Sequence, residues 1–185
     1  MLSLTRYDYW LIKRIANFEN PEFFKSKIIE MDLNNELIIV SKLLVAFLLG
    51  AFIGFDREMH GRDAGIRTYA AVCIGATLFT AIANHLVNDV AAASRVIANI
   101  VTGVGFLGAG IIYRNRNAGT SHGLTTAATV WGTAAVGVAV GLNMYIIAIV
   151  SSAALYFLLS MHHYKWYVKW KERMQMKHNE DKGSE

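Results

Sequence analysis

Five stretches of this chain, 37–55, 68–87, 96–113, 124–141 and 144–161, are continuously apolar, and each is close to the length that crosses a lipid bilayer as a helix. A hydrocarbon core of about 30 Å takes about 20 helical residues. The single proline, Pro21, lies outside all five runs. The runs are rich in alanine and do not alternate as membrane strands do. With 54% hydrophobic and 17% charged residues, and a mean hydropathy of +0.33, one soluble domain would have too little polar surface to cover them. The expected fold is all-α, a polytopic bundle of five transmembrane helices. It divides the chain into a charged, amphipathic N-terminal tail (1–36), the membrane domain (37–161) and a basic, aromatic tail (162–185) that is disordered at its end.

Residues 49–72 return 58 positions later as 107–130, with nine identities in 24 gapless pairs. Leu49-Gly50-Ala51 recurs as Leu107-Gly108-Ala109, Ile53 as Ile111, Gly61 as Gly119, Gly65 as Gly123, Thr68 as Thr126, Ala70 as Ala128 and Val72 as Val130. Each copy is an apolar run, an Arg-containing polar loop, then Gly-aliphatic-x-Thr opening the next run. This is an internal repeat of a two-helix unit. The two copies (helices 1–2 and 3–4) are therefore parallel, with both polar loops on one side, unlike the inverted repeats of many transporters. A fifth helix follows.

Charge sets the orientation. The first and third loops and the C-terminal tail carry eleven Lys and Arg: Arg57, Arg62, Arg67, Arg114, Arg116, Lys165, Lys169, Lys171, Arg173, Lys177 and Lys182. The other side holds six: Arg6, Lys13, Arg14, Lys25, Lys27 and Arg95. The positive-inside rule then places the N-terminus outside and the C-terminus in the cytoplasm. The first 30 residues have basic groups but no apolar core, so no cleaved signal peptide is expected. Tyr7, Trp10, Leu11, Ile15 and Phe18 fall roughly on one face of a surface helix. His162-His163-Tyr164-Lys165-Trp166-Tyr167-Val168-Lys169-Trp170 reads as an interfacial anchor. The net charge of +4 then reflects topology, and no nucleic acid is expected as a partner.

Glycines mark helix contacts. Gly50-x-x-x-Gly54 and Gly137-x-x-x-Gly141 are small-residue faces, and Gly103, Gly105, Gly108 and Gly110 crowd the third run. Small residues let helices approach closely in lipid. Gly105, Gly108 and Gly110 also suit a hinge, with the helix unwinding at 108–110 to expose carbonyls. The several GxxxG faces leave surface for a second copy, so a homodimer is one expectation.

The first loop carries Asp56, Arg57, Glu58, Arg62, Asp63 and Arg67, three acids against three bases. Charges this close to lipid are expected to pair. Two readings stand: a structural ion-pair cluster, or a ligand site. As a ligand site, the arginines and helix-opening threonines suit an anion, whereas Asp56, Glu58 and Asp63 suit hydrated Mg²⁺. Thr68 and Thr126 occupy equivalent helix starts, where capping is the ordinary role. Thr125 stands where Arg67 stands in the first copy, so the site narrows to Arg67-Thr68 facing Thr125-Thr126. Arg114 belongs to the second polar loop. Asn99, preceded by Arg95, needs helix–helix partners. Lys42 is expected to snorkel outward, and Cys73 to pack as a small apolar residue. No nucleophile, phosphate loop or cofactor fingerprint is visible; the chain is read as no enzyme, with no cofactor assigned and the metal left open.

Gly54-Phe-Asp-Arg-Glu, Ala64-Gly-Ile-Arg-Thr, Arg95-Val-Ile-Ala-Asn with Gly105-Phe-Leu-Gly-Ala-Gly, and Gly123-Leu-Thr-Thr-Ala-Ala resemble the successive signatures of the MgtC/SapB family. The resemblance covers residues 37–160. It implies a bacterial inner-membrane protein linked to magnesium homeostasis and growth at low Mg²⁺, acting through other membrane proteins, the ATP synthase among them. It carries over to Asp56, Arg57, Glu58, Gly65, Arg67, Thr68, Arg95, Gly105, Gly108, Gly110, Gly123, Thr125 and Thr126 as motif positions. Only 24 residues follow position 161, fewer than the ACT-like domain of longer members needs, so a short, SapB-like form is expected. Asn99, where many members carry Gln, is a further difference. The alternative function is an ion transporter or channel, for Mg²⁺ or an anion, with its path at the repeat interface.

Overall fold

A computed structural model describes residues 33–86, 90–114, 121–161, 173 and 176. Most of the two tails therefore lies outside the described residues, with the expected N-terminal surface helix and the interfacial anchor.

The membrane domain contains five helices: α1 (Leu33–Met59), α2 (Ile66–Leu86), α3 (Val90–Ile111), α4 (Leu124–Gly141) and α5 (Tyr145–Ser160). Four are long and apolar enough to cross a membrane. The fifth is shorter, 16 residues or about 24 Å. It nevertheless runs the length of the bundle. Three residues separate it from the end of α4, and it finishes where Ser160 meets Asp56 of α1. The third apolar run ends as helix at Ile111, and Tyr113 enters a two-residue ladder instead. That ladder pairs β1 (Tyr113–Arg114) antiparallel with β2 (Ser121–His122), and the Tyr113 and His122 rings stack across it.

Local chemistry sets the turns. Gly61, at φ +57°, lets the chain leave α1 while its amide reaches Glu58 O and the Arg62 amide reaches Arg57 O. Such left-handed exits satisfy carbonyls that a helix end leaves open. Asn143, at φ +64°, does the same after α4; the amides of Leu142, Asn143 and Met144 return to Val138, Val140 and Ala139.

α2 and α4 form the centre. α2 packs on α1, α3 and α4, and α4 also contacts α1, α3 and α5. Tyr69, Cys73, Thr77, Val130, Thr133, Val136 and Val140 are fully buried along this axis. α4 is the most buried helix and α3 the least.

The glycines divide accordingly. A Cβ on Gly50 would stand 2.8 Å from Ala70 Cα, and one on Gly54 2.7 Å from Ile66 Cα. On the other side of α2, a Cβ on Gly137 would strike the Cys73 carbonyl oxygen, and one on Gly141 would lie 2.6 Å from Thr80 Cβ. Both GxxxG faces are therefore consumed inside the chain, by α2, and are not spare surface for a second copy. α3 is regular through Gly108 and Gly110, so the expected unwinding there is absent. Gly108 touches Ala127 at an ordinary 3.6 Å, whereas Gly103, Gly105 and Gly110 meet nothing within 4 Å among the described residues.

Candidate functional site

The last turns of α1 carry charge into the bundle. Ala46, Gly50, Ile53, Gly54 and Arg57 are all buried. They recur at three- and four-residue steps, the spacing of one helix face. Arg57 thus continues the stripe that packs α1 and is only 7% exposed. Its guanidinium donates through Nη2 to the Thr126 hydroxyl, on the first turn of α4, and neighbours the Tyr69 hydroxyl. Tyr69 and Thr129 share a hydrogen bond of 2.6 Å between their oxygens. Thr129 can also donate to the carbonyls of Thr125 and Thr126. Arg57 Nε is buried without a hydrogen-bond partner among the described residues.

Asp56 points elsewhere, about 100° around the helix. It accepts from Ser160 Oγ of α5 at 3.1 Å, and His60 Nδ1 stands 3.6 Å from its carboxylate. The same nitrogen lies 2.6 Å from the Asp56 carbonyl, an acceptor only, so Nδ1 carries the proton. Glu58 turns back over the loop and accepts the Ile66 amide at 2.9 Å, which caps α2.

The other end of the bundle holds a second buried cation. Lys42 is 6% exposed and donates from Nζ to Gly141 O at 3.0 Å. It closes the C-terminus of α4, where a cation meets the negative end of the helix dipole, rather than snorkelling outward. Between the two ends, Thr77 donates to Gly137 O and Thr133 to Thr129 O. Thr77 and Thr133 thus spend their hydroxyls on backbone carbonyls, whereas Thr80 Oγ1, facing Gly141, is buried without a partner among the described residues. α2 lies directly on α4 and the interface is close-packed.

The polar residues expected to converge do so only in part. Arg62, Asp63, Arg67, Thr68 and Thr125 are exposed, and among the described residues Arg62, Asp63 and Arg67 enter no ion pair. Among the described residues the first-loop arginines and acids do not gather into one ion-pair cluster: Arg57 turns onto the Thr126 hydroxyl, Asp56 onto Ser160 and Glu58 onto the Ile66 amide, while Arg62, Asp63 and Arg67 face solvent. The cation facing Thr126 is Arg57, not Arg67. Thr68 does not cap α2; Glu58 does. Asp56, Glu58 and Asp63 diverge, and among the described residues no three His, Cys, Asp or Glu side chains group as metal ligands. Arg114 lies in β1. Arg95 and Asn99 are exposed on α3. Tyr69, Thr129, Ser160 and His60 join the site although sequence reasoning did not place them there. Tyr69 and Thr129 follow Thr68 and Thr126 by one and three positions, so helical phase from the buried threonine was the available signal.

Asn99 borders a groove of about 370 Å³ between α2 and α3, lined by Gly75, Phe79, Val96, Asn99, Gly103 and Leu107 among others. Phe106, on the same helix, is 81% exposed.

The model of the MgtC family matches residues 43–165. YhiD of Escherichia coli strain K12, named as a proposed magnesium transporter, is 40% identical over 133 residues, which cover 68% of this chain and 60% of YhiD. Protein MgtC of Brucella abortus strain 2308 is 48% identical over 99 residues, 54% of this chain and 40% of that protein. Protein SrpB of Synechococcus elongatus is 38% identical over 122 residues, 60% of this chain and 67% of SrpB. The chain thus spans less than two thirds of YhiD and of the Brucella protein. No solved structure matches it significantly.

Proposed function

The chain belongs to the MgtC family, and from that premise we propose that it serves magnesium homeostasis at low Mg²⁺ as a non-enzymatic protein of the bacterial inner membrane, acting on other membrane proteins. The observation that carries this reading is the state of α3. It turns a lipid-facing surface outward with Asn99 near its middle, glycines beside it and the groove against α2. A lipid-exposed amide at mid-span is costly unless another helix supplies hydrogen-bond partners. The surface suits a transmembrane segment of a partner protein.

Transport is the second reading, and the packing of α2 on α4 weighs against its expected path. Gly137 and Gly141 bring these helices into close contact, and the buried Thr77 and Thr133 are bonded to carbonyls. An ion passing there would have to separate a glycine-packed interface at the centre of the bundle.

A photo-crosslinking residue at Phe106, installed in cells grown at low Mg²⁺, should capture another membrane protein. Gly103→Leu should abolish growth at low Mg²⁺ while the protein still accumulates. Proteoliposomes holding the purified full chain should show no Mg²⁺ flux. Flux abolished by Arg57→Gln, with no capture at Phe106, would overturn regulation in favour of transport.

A further inference from the structure

Among the described residues, Arg57 is a buried cation without a counter-charge. Asp56, its neighbour in sequence, faces α5 and Ser160, and among the described residues no carboxylate pairs with the guanidinium. Its Nη2 rests on Thr126, the third residue of α4, so it sits against the N-terminus of that helix. A helix N-terminus is itself positive, by about half an elementary charge. Two positive poles therefore meet where one of them is withdrawn from water. Removing a cation from solvent with no partner costs several kcal/mol on the order of magnitude of measured broken pairs. Placing it on a helix start increases that cost.

The start of α2 shows how the chain handles the same problem. There the Glu58 carboxylate accepts the Ile66 amide and fills the space beside Gly65. The repeat aligns Gly65 with Gly123 and Glu58 with Arg116. The second copy thus has a base at the position from which the first copy supplies its anion. α4 opens on Gly123, at φ +85°, and among the described residues no side chain caps it. Its first-turn amides have no acceptor within the helix. Leu124 and Thr125 are exposed, so this turn borders the outside of the bundle, with the Ile111 carbonyl against Gly123 on one side. Behind them stands Arg57, with Nε unsatisfied.

We propose that the first turn of α4, backed by Arg57, is a phosphate-binding site, taking either inorganic phosphate or the phosphate of a lipid headgroup. Phosphate matches the parts on offer: oxygens for several amides at once, a hydroxyl acceptor for Thr125, and a charge that the forked guanidinium favours. The site is independent of which partner α3 engages.

The test uses the full chain purified in dodecyl maltoside, a phosphate-free detergent, with thermal unfolding as readout. Inorganic phosphate is titrated against chloride at matched ionic strength; in a separate arm, phosphatidylglycerol is added to the micelles. Either probe should raise Tm by about 4 °C or more at saturation. A rise with phosphate alone identifies a soluble ligand, and a rise with the lipid alone identifies a headgroup. Arg57→Gln should lose the response, and Arg62→Gln, an exposed loop arginine, should keep it. Should Arg57→Gln fail to fold, Thr125→Glu decides. It places a carboxylate on an exposed first-turn position, as Glu58 does for α2, and should raise Tm without phosphate while abolishing the response. No rise in the wild type with either probe would overturn the proposal, as would a full response retained in Thr125→Glu.

Discussion

Glu58 and Gly65 interlock at the head of α2. The carboxylate occupies the volume that a Cβ on Gly65 would need, and from there it accepts the Ile66 amide. Gly65 is therefore needed for its missing atom, and only while Glu58 is present. Glu58→Ala should cost about 1 kcal/mol, the ordinary value of an N-terminal cap, and Gly65→Ala a similar amount by displacing the carboxylate. The double variant should be far from additive, because the second change has nothing left to displace. Unfolding midpoints of the four proteins measure this, and additive losses would show that the two residues act separately. Both were legible as motif positions, but their contact was not, since it spans seven residues of turn. The same holds for the arginines. Arg57 and Arg67 flank one loop and look equivalent in the sequence. What separates them is that α1 continues to Met59, so Arg57 falls in phase with Gly50, Ile53 and Gly54 and turns inward. A boundary placed at Phe55 hides that phase and leaves Arg57 in the loop.

Glycine means different things on different helices. On α1 and α4 it sets the distance to α2, and on α3 it leaves backbone bare to lipid. Gly137→Ala pushes a methyl group against the Cys73 carbonyl, with backbone on both sides, so neither can yield cheaply. The expected loss is about 1–3 kcal/mol, as for other overpacked sites, seen as a lower unfolding midpoint in detergent. Gly105→Ala meets open space and should be neutral or stabilising by up to about 1 kcal/mol, the helix propensity gained. Equal losses at both positions would refute this division. The sequence pattern marks Gly50, Gly54, Gly137 and Gly141 as small-residue faces, and all four stand against α2. It did not show that one helix receives both pairs, because pairing is a property of the bundle rather than of either strip. Nor could the crowding of glycines on α3 reveal that this helix lies at the edge. An edge helix and a central one are equally apolar when lipid replaces protein as the neighbour.

Across the whole molecule, orientation depends on α5. The loop 60–65 and the β1–β2 ladder share one end of the bundle, and the turn 142–144 lies at the other. If α5 stopped short, the six basic residues beyond position 161 would remain at the turn end and the charge balance would favour that side. The Ser160–Asp56 contact brings the end of α5 to the loop end, so the sequence beyond position 161 is counted with that end. From Lys42 to Asp56, α1 climbs about 21 Å, and the 16 residues of α5 climb about 24 Å. A helix too short for an average bilayer therefore matches the polar-to-polar distance of its own bundle. Positive charge then gathers at the loop end, which the positive-inside rule assigns to the cytoplasm. Cysteine labelling reads this directly. Cys73 is fully buried, so the natural chain should stay unlabelled by a membrane-impermeant maleimide. Met144→Cys, at the exposed turn, should react in intact spheroplasts, and Asp63→Cys only after they are opened. The reverse pattern would move the loop end, with Arg57 and the start of α4, outside the cell. A phosphate site there would then sample external phosphate rather than the cytoplasmic pool.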